Sequence, residues 1–362
     1  FIKETKISTQ NAFGKILDQY AKNNTDFSRR ILTTSPDVSV STNLGPWINR
    51  KGLFSRKDGS DTFKDRKIPS AQKWIFSSQG QHIELGIAEM NLFLMLGAAG
   101  LSHEFFGERL FPIGTVYDPF ISRGLDAMNY ACYQDARFMI VGTPSGISLA
   151  PEGGAHQSIA TPLIGISQPG LLSFEPAFAD ELALIMNYGF NYLQDESGGS
   201  IYLRLTTRSI DQPMREIDNE LKNNIIKGGY WLKKPGPNPE VIIVYQGAVA
   251  SEAIESTALL GEKFKNSGVL SITSSDKLFH EWKNQNSTSH IELLLECVPR
   301  DTRIITVIDG HPMTLSWIGS IYGHKTIPLG VSSFGQTGKV EDLFKEFTID
   351  SQSISNLGFS IN

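Results

Sequence analysis

A chain of 362 residues, 40% apolar and 20% charged, is long enough for two packed cores and has the balance of an ordinary globular protein. Its net charge of −5 gives no footprint for nucleic acid or an anionic membrane. No apolar run reaches the ~18 residues of a membrane-crossing helix, and Cys132 and Cys297, far apart in apolar contexts, point to a reducing, cytoplasmic setting.

Thr9 to Lys22 places Phe13, Ile16, Leu17 and Tyr20 on one helical face. Arg30 to Ser35 reads as a first strand. It delivers Pro36-Asp37-Val38-Ser39 at its carboxyl end, where parallel α/β folds carry ligand groups. Asp37 is therefore a site candidate, although an Asx turn is the commoner use of such a residue. Residues 48–80 are charged and aperiodic, the pattern of a surface loop bordering a site. From Ile83 to Leu101 apolar residues leave little room for a solvated face, which predicts a buried helix. Glu84 and Glu89 stand at its start, where the helix dipole tolerates negative charge. A rotation of about 500° separates them, so they point to different sides. Glu89, between Ala88 and Met90, is the deeper one; a carboxylate in such surroundings has a raised pKa or a specific partner.

Gly107 to Val116 leads as a strand into Tyr117-Asp118-Pro119-Phe120 and then a helix carrying Arg123. Tyr117 and Phe120 at that junction are core aromatics or the walls of a site. Arg137 to Gly142 has the apolar run of a buried parallel strand. Beyond it come Thr143-Pro144-Ser145-Gly146 and then Glu152-Gly153-Gly154-Ala155-His156-Gln157. The glycine pair lets backbone approach a ligand closely, and a loop histidine beside an acid is a proton-transfer candidate. Leu171–Phe174, a helix to about Leu193 and a strand over Ile201–Thr206 follow, ending at Thr207-Arg208-Ser209. Strand–helix alternation at this spacing predicts a doubly wound, mostly parallel sheet.

The proline-rich Lys233-Lys234-Pro235-Gly236-Pro237-Asn238-Pro239 reads as a linker. The expected division is a first domain over 1–222, a linker over 223–240 and a second α/β domain over 241–362. Strands are predicted there at 241–246, 268–273, 303–308 and 325–330. Neither a Walker loop nor a dinucleotide-binding glycine fingerprint occurs.

Gly86-Ile87-Ala88-Glu89 resembles the sequence around the cofactor-activating glutamate of thiamine diphosphate enzymes. The Glu152–Gln157 loop is similar to the transketolase loop whose histidine faces the substrate. Leu329-Gly330-Val331-Ser332-Ser333-Phe334-Gly335 with Glu341-Asp342-Leu343-Phe344 resembles the same family's C-terminal signature. In this order the motifs look like the middle and C-terminal domains of transketolases and of the homodimeric pyruvate dehydrogenase decarboxylating component. The resemblance implies that Glu89 hydrogen-bonds N1′ of the aminopyrimidine and that Tyr117 and Phe120 cup its ring; Asp37, from its place at a strand's carboxyl end, is expected to join that cofactor site. It assigns His156 a catalytic place facing substrate, with Glu152, Gln157 and Arg208 as substrate-binding candidates.

The departures matter too. No Gly-Asp-Gly with a downstream Asn occurs, so no metal ligand is expected in this chain. Mg2+ and the diphosphate would be held by a half that lies before Phe1 or on a separate chain; the absence of an initiator Met fits a fragment or cleaved product. Pro144 stands where transketolases carry a phosphate-binding histidine, whereas Arg208 matches their phosphate-binding arginine. The implied function is the C-terminal half of a thiamine diphosphate-dependent 2-oxo acid dehydrogenase, passing an acyl unit to a lipoyl carrier. The implied partners are the diphosphate-binding half, a second copy and a lipoyl acyltransferase. Ketol transfer between phosphosugars is the first alternative, and a non-catalytic scaffold or regulatory subunit the second.

Overall fold

The computed structural model describes residues 4–57, 65–70, 72–261, 263–284 and 286–360. The first sheet takes β2 (Ile31–Ser35), β3 (Leu53–Phe54), β4 (Phe76–Ser77), β5 (His82–Glu84), β6 (Phe111–Val116), β7 (Met139–Gly142), β8 (Leu171–Phe174) and β9 (Ser200–Arg204). Their order is β4-β3-β5-β2-β6-β7-β9-β8, and every neighbouring pair is parallel. A short antiparallel ladder of β1 (Lys6–Ile7) on β10 (Ile210–Asp211) fastens the start of the chain to the end of this domain.

The second sheet runs β11-β13-β12-β14-β15, from β11 (Gly229–Lys233), β12 (Val241–Gln246), β13 (Gly268–Ile272), β14 (Arg303–Ile308) and β15 (Thr326–Leu329). Only β11 is antiparallel. Alternation along the strands buries both faces. In β12, Val241, Ile243 and Tyr245 join one core while Ile242 and Val244 join the other. Met139 and Val141 of β7 likewise face away from Ile140. Side chains buried on both faces are what helices on both sides of a parallel sheet require.

Three expectations change. Residues 82–84 are a strand and not the first turn of the central helix, which spans Glu89–Gly100. Backbone pairing of His82, Ile83 and Glu84 with β2 holds the segment extended, and Gly86 at φ +67° turns the chain before the helix starts. Nor is that helix enclosed all round: Leu94 is 57% and Met90 41% exposed, while Leu92, Phe93 and Leu96 are buried. The 48–80 stretch contributes edge strands β3 and β4 besides loop, with residues 58–64 and 71 outside the described part. Finally, β11 lies within the segment expected as linker and forms the edge of the second sheet. The Pro-rich run that follows it stays irregular.

Candidate active site

The carboxyl ends of β2, β5, β6, β7 and β9 carry the candidate residues. At β6 the chain leaves the sheet at Tyr117 and enters a tight helical turn, Asp118–Gly124, with Pro119 in its first turn. Gly124 ends that turn so close to the Phe93 ring that a Cβ has no room there. The turn therefore lies on the central helix. Arg123 then donates to Glu89 Oε1 at 2.7 Å, and its guanidinium lies 4.1 Å from the Phe120 centroid.

Tyr117 and Phe120 present their rings in parallel, 6.2 Å apart at an interplanar angle of 5°. His156 meets both edge-on, at 6.1 Å and 5.4 Å. Glu89, Arg123, Phe120, Tyr117 and His156 thus form one continuous wall. One of its polar atoms, His156 Nδ1, is buried without a hydrogen-bond partner among the described residues. A buried polar atom without a protein partner is one that a water or a ligand group can complete.

His156 sits where it does because its loop is clasped by the second domain. Gly154 lies against the Gly335 carbonyl with no space for a Cβ, and Gln157 Nε2 donates to the Gln336 carbonyl at 3.2 Å. The Phe334–Gly338 segment is therefore the back of the histidine loop.

The other candidates stand apart. Asp37 is exposed, at φ +64°, and its backbone N–H donates to Glu84 Oε1 at 2.8 Å. Glu84 also accepts from Ser39 Oγ at 2.6 Å and lies 3.4 Å from His82 Nε2. Burial raises the Glu84 carboxyl, but the His82 and Ser39 hydrogen bonds outweigh it and hold the pKa below the ordinary value. Glu152 is exposed on the histidine loop. Arg208 is bidentate to Glu252 of the second domain, donates to the Ala248 carbonyl at 2.8 Å and covers the Phe344 ring. Among the described residues, no hydrogen bond or ring contact ties Asp37, Glu152 or Arg208 to the wall.

Beneath the wall lies a network that the sequence reading left unassigned. Arg204 is 2% exposed and contacts Asp118, Glu175, Ser158 and the Asp309 carbonyl. Burial raises the Glu175 carboxyl to about 7, against the opposing pull of Arg204. Burial likewise raises Asp309. Arg204 is pushed down by burial but carried above its usual range by Glu175 and Asp118. A charged residue between Leu203 and Leu205 in a buried strand was the available signal. Arg123 had none, because its partner Glu89 is far away in sequence.

Among the described residues, no three His, Cys, Asp or Glu side chains gather as a metal site, and no helix is long and apolar enough to cross a membrane. Two family models match: the pyruvate dehydrogenase E1 component middle domain over residues 2–213 and the transketolase-like C-terminal domain over 228–350. The chain is 24% identical over 366 aligned positions to the pyruvate dehydrogenase E1 component of Escherichia coli, covering 96% of this chain and 40% of that protein. The chain thus spans well under half the length of that curated relative. Its fold superposes on transketolase from Leishmania mexicana with a TM-score of 0.77 at 18% identity, covering all of this chain and 46% of that one. A split-gene transketolase described as an inactive beta4 tetramer superposes at 0.65 with 19% identity, and 98% of each chain is covered. The middle-domain match covers more than half of the chain, which belongs to the thiamine diphosphate enzyme family of the pyruvate dehydrogenase E1 component and transketolase.

Proposed function

We propose that this chain is the pyrimidine-binding and C-terminal half of a 2-oxo acid dehydrogenase decarboxylating component, acting on a short 2-oxo acid and passing the acyl unit to a lipoyl carrier. The observation that carries the reading is the wall of Glu89, Tyr117, Phe120 and His156, with His156 Nδ1 buried and unpartnered beside two parallel rings. These groups fit a flat heterocycle with a protonatable nitrogen. Glu89 would hold the N1′ edge of thiamine diphosphate, with Tyr117 and Phe120 against the ring. When bound, the cofactor supplies the carbon nucleophile that attacks the 2-oxo carbonyl.

The chain's residues supply the rest. Glu89, mostly buried at the start of a helix, is placed to share a proton with a ring nitrogen. Arg123 donates to Glu89 Oε1 and shares that carboxylate with whatever it holds. His156 meets the carbonyl oxygen where negative charge develops, donating a hydrogen bond or proton. Glu152 and Gln157 flank it and are proposed to orient it or touch substrate. Asp37, at the carboxyl end of β2, is proposed to belong to the cofactor site.

The diphosphate and Mg2+ would be held by another half, encoded with this one or separately. Ile87, Leu94, Phe106 and Tyr133 support this, because all are large, apolar and more than half exposed around the central helix. The split-gene transketolase described as an inactive beta4 tetramer is a chain of this extent from a divided enzyme, which supports the reading. A second copy would then complete the assembly, with a lipoyl acyltransferase as acceptor. The free Cys132 and Cys297 fit a cytoplasmic setting.

Ketol transfer between phosphosugars is the second reading, favoured by Arg208 at the transketolase phosphate position. The contacts of Arg208 weigh against it, since its fork is already taken by Glu252 and Pro144 offers no donor. The test is turnover by the chain joined to its diphosphate-binding half, with an artificial electron acceptor. Pyruvate, 2-oxobutyrate, 2-oxoglutarate and xylulose 5-phosphate are compared side by side. A 2-oxo acid should turn over and the phosphosugar should not; the reverse would make the chain a transketolase half.

A further inference from the structure

We propose that Asp118 is a positioning residue: its buried carboxylate locks the turn that carries Tyr117 and Phe120 to the loop that carries His156. The inference rests on reading those three residues as site residues. Asp118 is wholly buried and lies between the two aromatic residues in sequence, so a shift of its backbone moves both rings. Four donors converge on its carboxylate. Ser158 Oγ and Tyr202 Oη donate at short range, Thr161 Oγ1 at 2.6 Å and Arg204 Nε at 2.9 Å. A carboxylate with this many donors has little freedom left.

Ser158 is the informative partner, because it stands just past His156 in the same loop. Its oxygen also accepts the Gly146 N–H at 2.9 Å and an Arg204 Nη2 proton at 3.1 Å. The start of that segment is fixed from the other domain, where Asp309 accepts the N–H groups of Ile147 and Ser148 at 2.8 and 3.0 Å. Arg204 closes the circuit, donating to Glu175 at 2.5 Å and to the Asp309 carbonyl at 2.8 Å. The histidine loop is thus pinned at its start by Asp309 and at its end by Asp118. The edge-on contacts of His156 with both rings are the outcome of that double pinning.

Net stability does not require such a node, since well-packed apolar groups of similar volume often match or exceed a buried ion pair. Apolar groups would not fix two loops in one register, whereas directional hydrogen bonds do. The node is sealed from solvent, with Asp118 and Arg204 both buried, so it takes no ligand of its own.

The test variant is Ser158→Ala, which removes the hydroxyl that joins Asp118, Arg204 and the Gly146 N–H at the end of the histidine loop and leaves Tyr202, Thr161 and Arg204 on the carboxylate. In the reconstituted enzyme kcat should fall roughly tenfold to a hundredfold, as for a small misplacement of a catalytic group, with little change in cofactor affinity. In a His156→Gln background the same change should add almost nothing, because the effect runs through His156. Equal losses in both backgrounds would overturn the inference. A second readout needs no turnover: the 13Cε1–1H signal of His156 in histidine-labelled chain, assigned by its loss in His156→Gln. It should move in both Ser158→Ala and Asp118→Asn. An unmoved signal overturns the lock, and Ser158→Ala alone decides should Asp118→Asn fail to fold. A moved signal with full turnover would leave the lock standing and count against the catalytic reading of His156.

Discussion

The Asp118–Arg204 node and the Glu89 wall lie back to back, yet they handle charge in opposite ways. In the node, a guanidinium 2% exposed is surrounded by carboxylates and hydroxyls of the same chain, and each of those groups has a partner. In the wall, Arg123 is 53% exposed over Glu89, and His156 Nδ1 is buried with nothing to bond. The node is complete within the chain and the wall is not. A region that balances its own charges holds geometry, whereas one with a half-exposed ion pair and an unanswered ring nitrogen is the one the proposed function assigns to a ligand.

The largest expected effect breaks the wall. Glu89→Ala in the reconstituted enzyme should lower turnover by about two to four orders of magnitude, the range for losing a positioned acid–base group. Calorimetric titration should find cofactor binding weakened far less. An active variant would remove Glu89 from the chemistry.

A stability comparison of the two arginines comes next. Arg204→Leu strands Asp118 and Glu175 in the interior and should destabilise the chain by ~3–5 kcal/mol, the range for breaking one side of a buried pair. Arg123→Leu removes a half-exposed ion pair and should change stability by no more than about 1 kcal/mol. Urea unfolding of both variants checks this, and equal losses would erase the distinction between node and wall.

The pH dependence is smaller and has a definite sign. Glu175 holds its proton up to about 7 in the folded chain, against an ordinary value of 4.5. The folded state therefore binds more protons between those values, and stability should fall as pH rises through that window and level off above it. Glu175→Gln should flatten this segment of the unfolding midpoint plotted against pH. A wild-type midpoint that rises across the window would contradict the assignment.

The smallest effect lies at Glu84, whose carboxyl is held below its ordinary 4.5 by His82 and Ser39 despite the opposing pull of burial. Its contribution is present above that value and lost as pH falls beneath it. Glu84→Gln should therefore narrow the gap to wild type in acid. If the difference from wild type instead grows in acid, Glu84 is not held as described.

Much of this was legible in the sequence, for identifiable reasons. Strands such as Leu171–Phe174, Val241–Gln246 and Arg303–Ile308 were readable because an apolar run in a parallel sheet needs no partner pattern to identify it. His82–Glu84 was misread because its polar ends and neighbouring apolar run share the composition of a helix start. Only pairing with β2, a contact remote in sequence, makes it a strand. The helix that follows was expected to be enclosed because its composition leaves no polar face. A helix with an exposed apolar face has that same composition. Glu89, Tyr117, Phe120 and His156 are singled out by local motifs, and the structure brings them into one wall. Arg123, Asp118 and Arg204 are not, since their meaning lies in which distant groups they meet. Arg208 was readable as a fork but not as one that Glu252 already fills.

The most direct measurement of the central claim is thiamine diphosphate binding and turnover by the chain alone and by the chain joined to a diphosphate-binding half. Alone, the chain should bind the cofactor weakly and turn over no 2-oxo acid. With its other half it should bind tightly and gain an activity that Glu89→Ala removes. A monodisperse monomer of the isolated chain that binds thiamine diphosphate tightly and catalyses by itself would contradict the account.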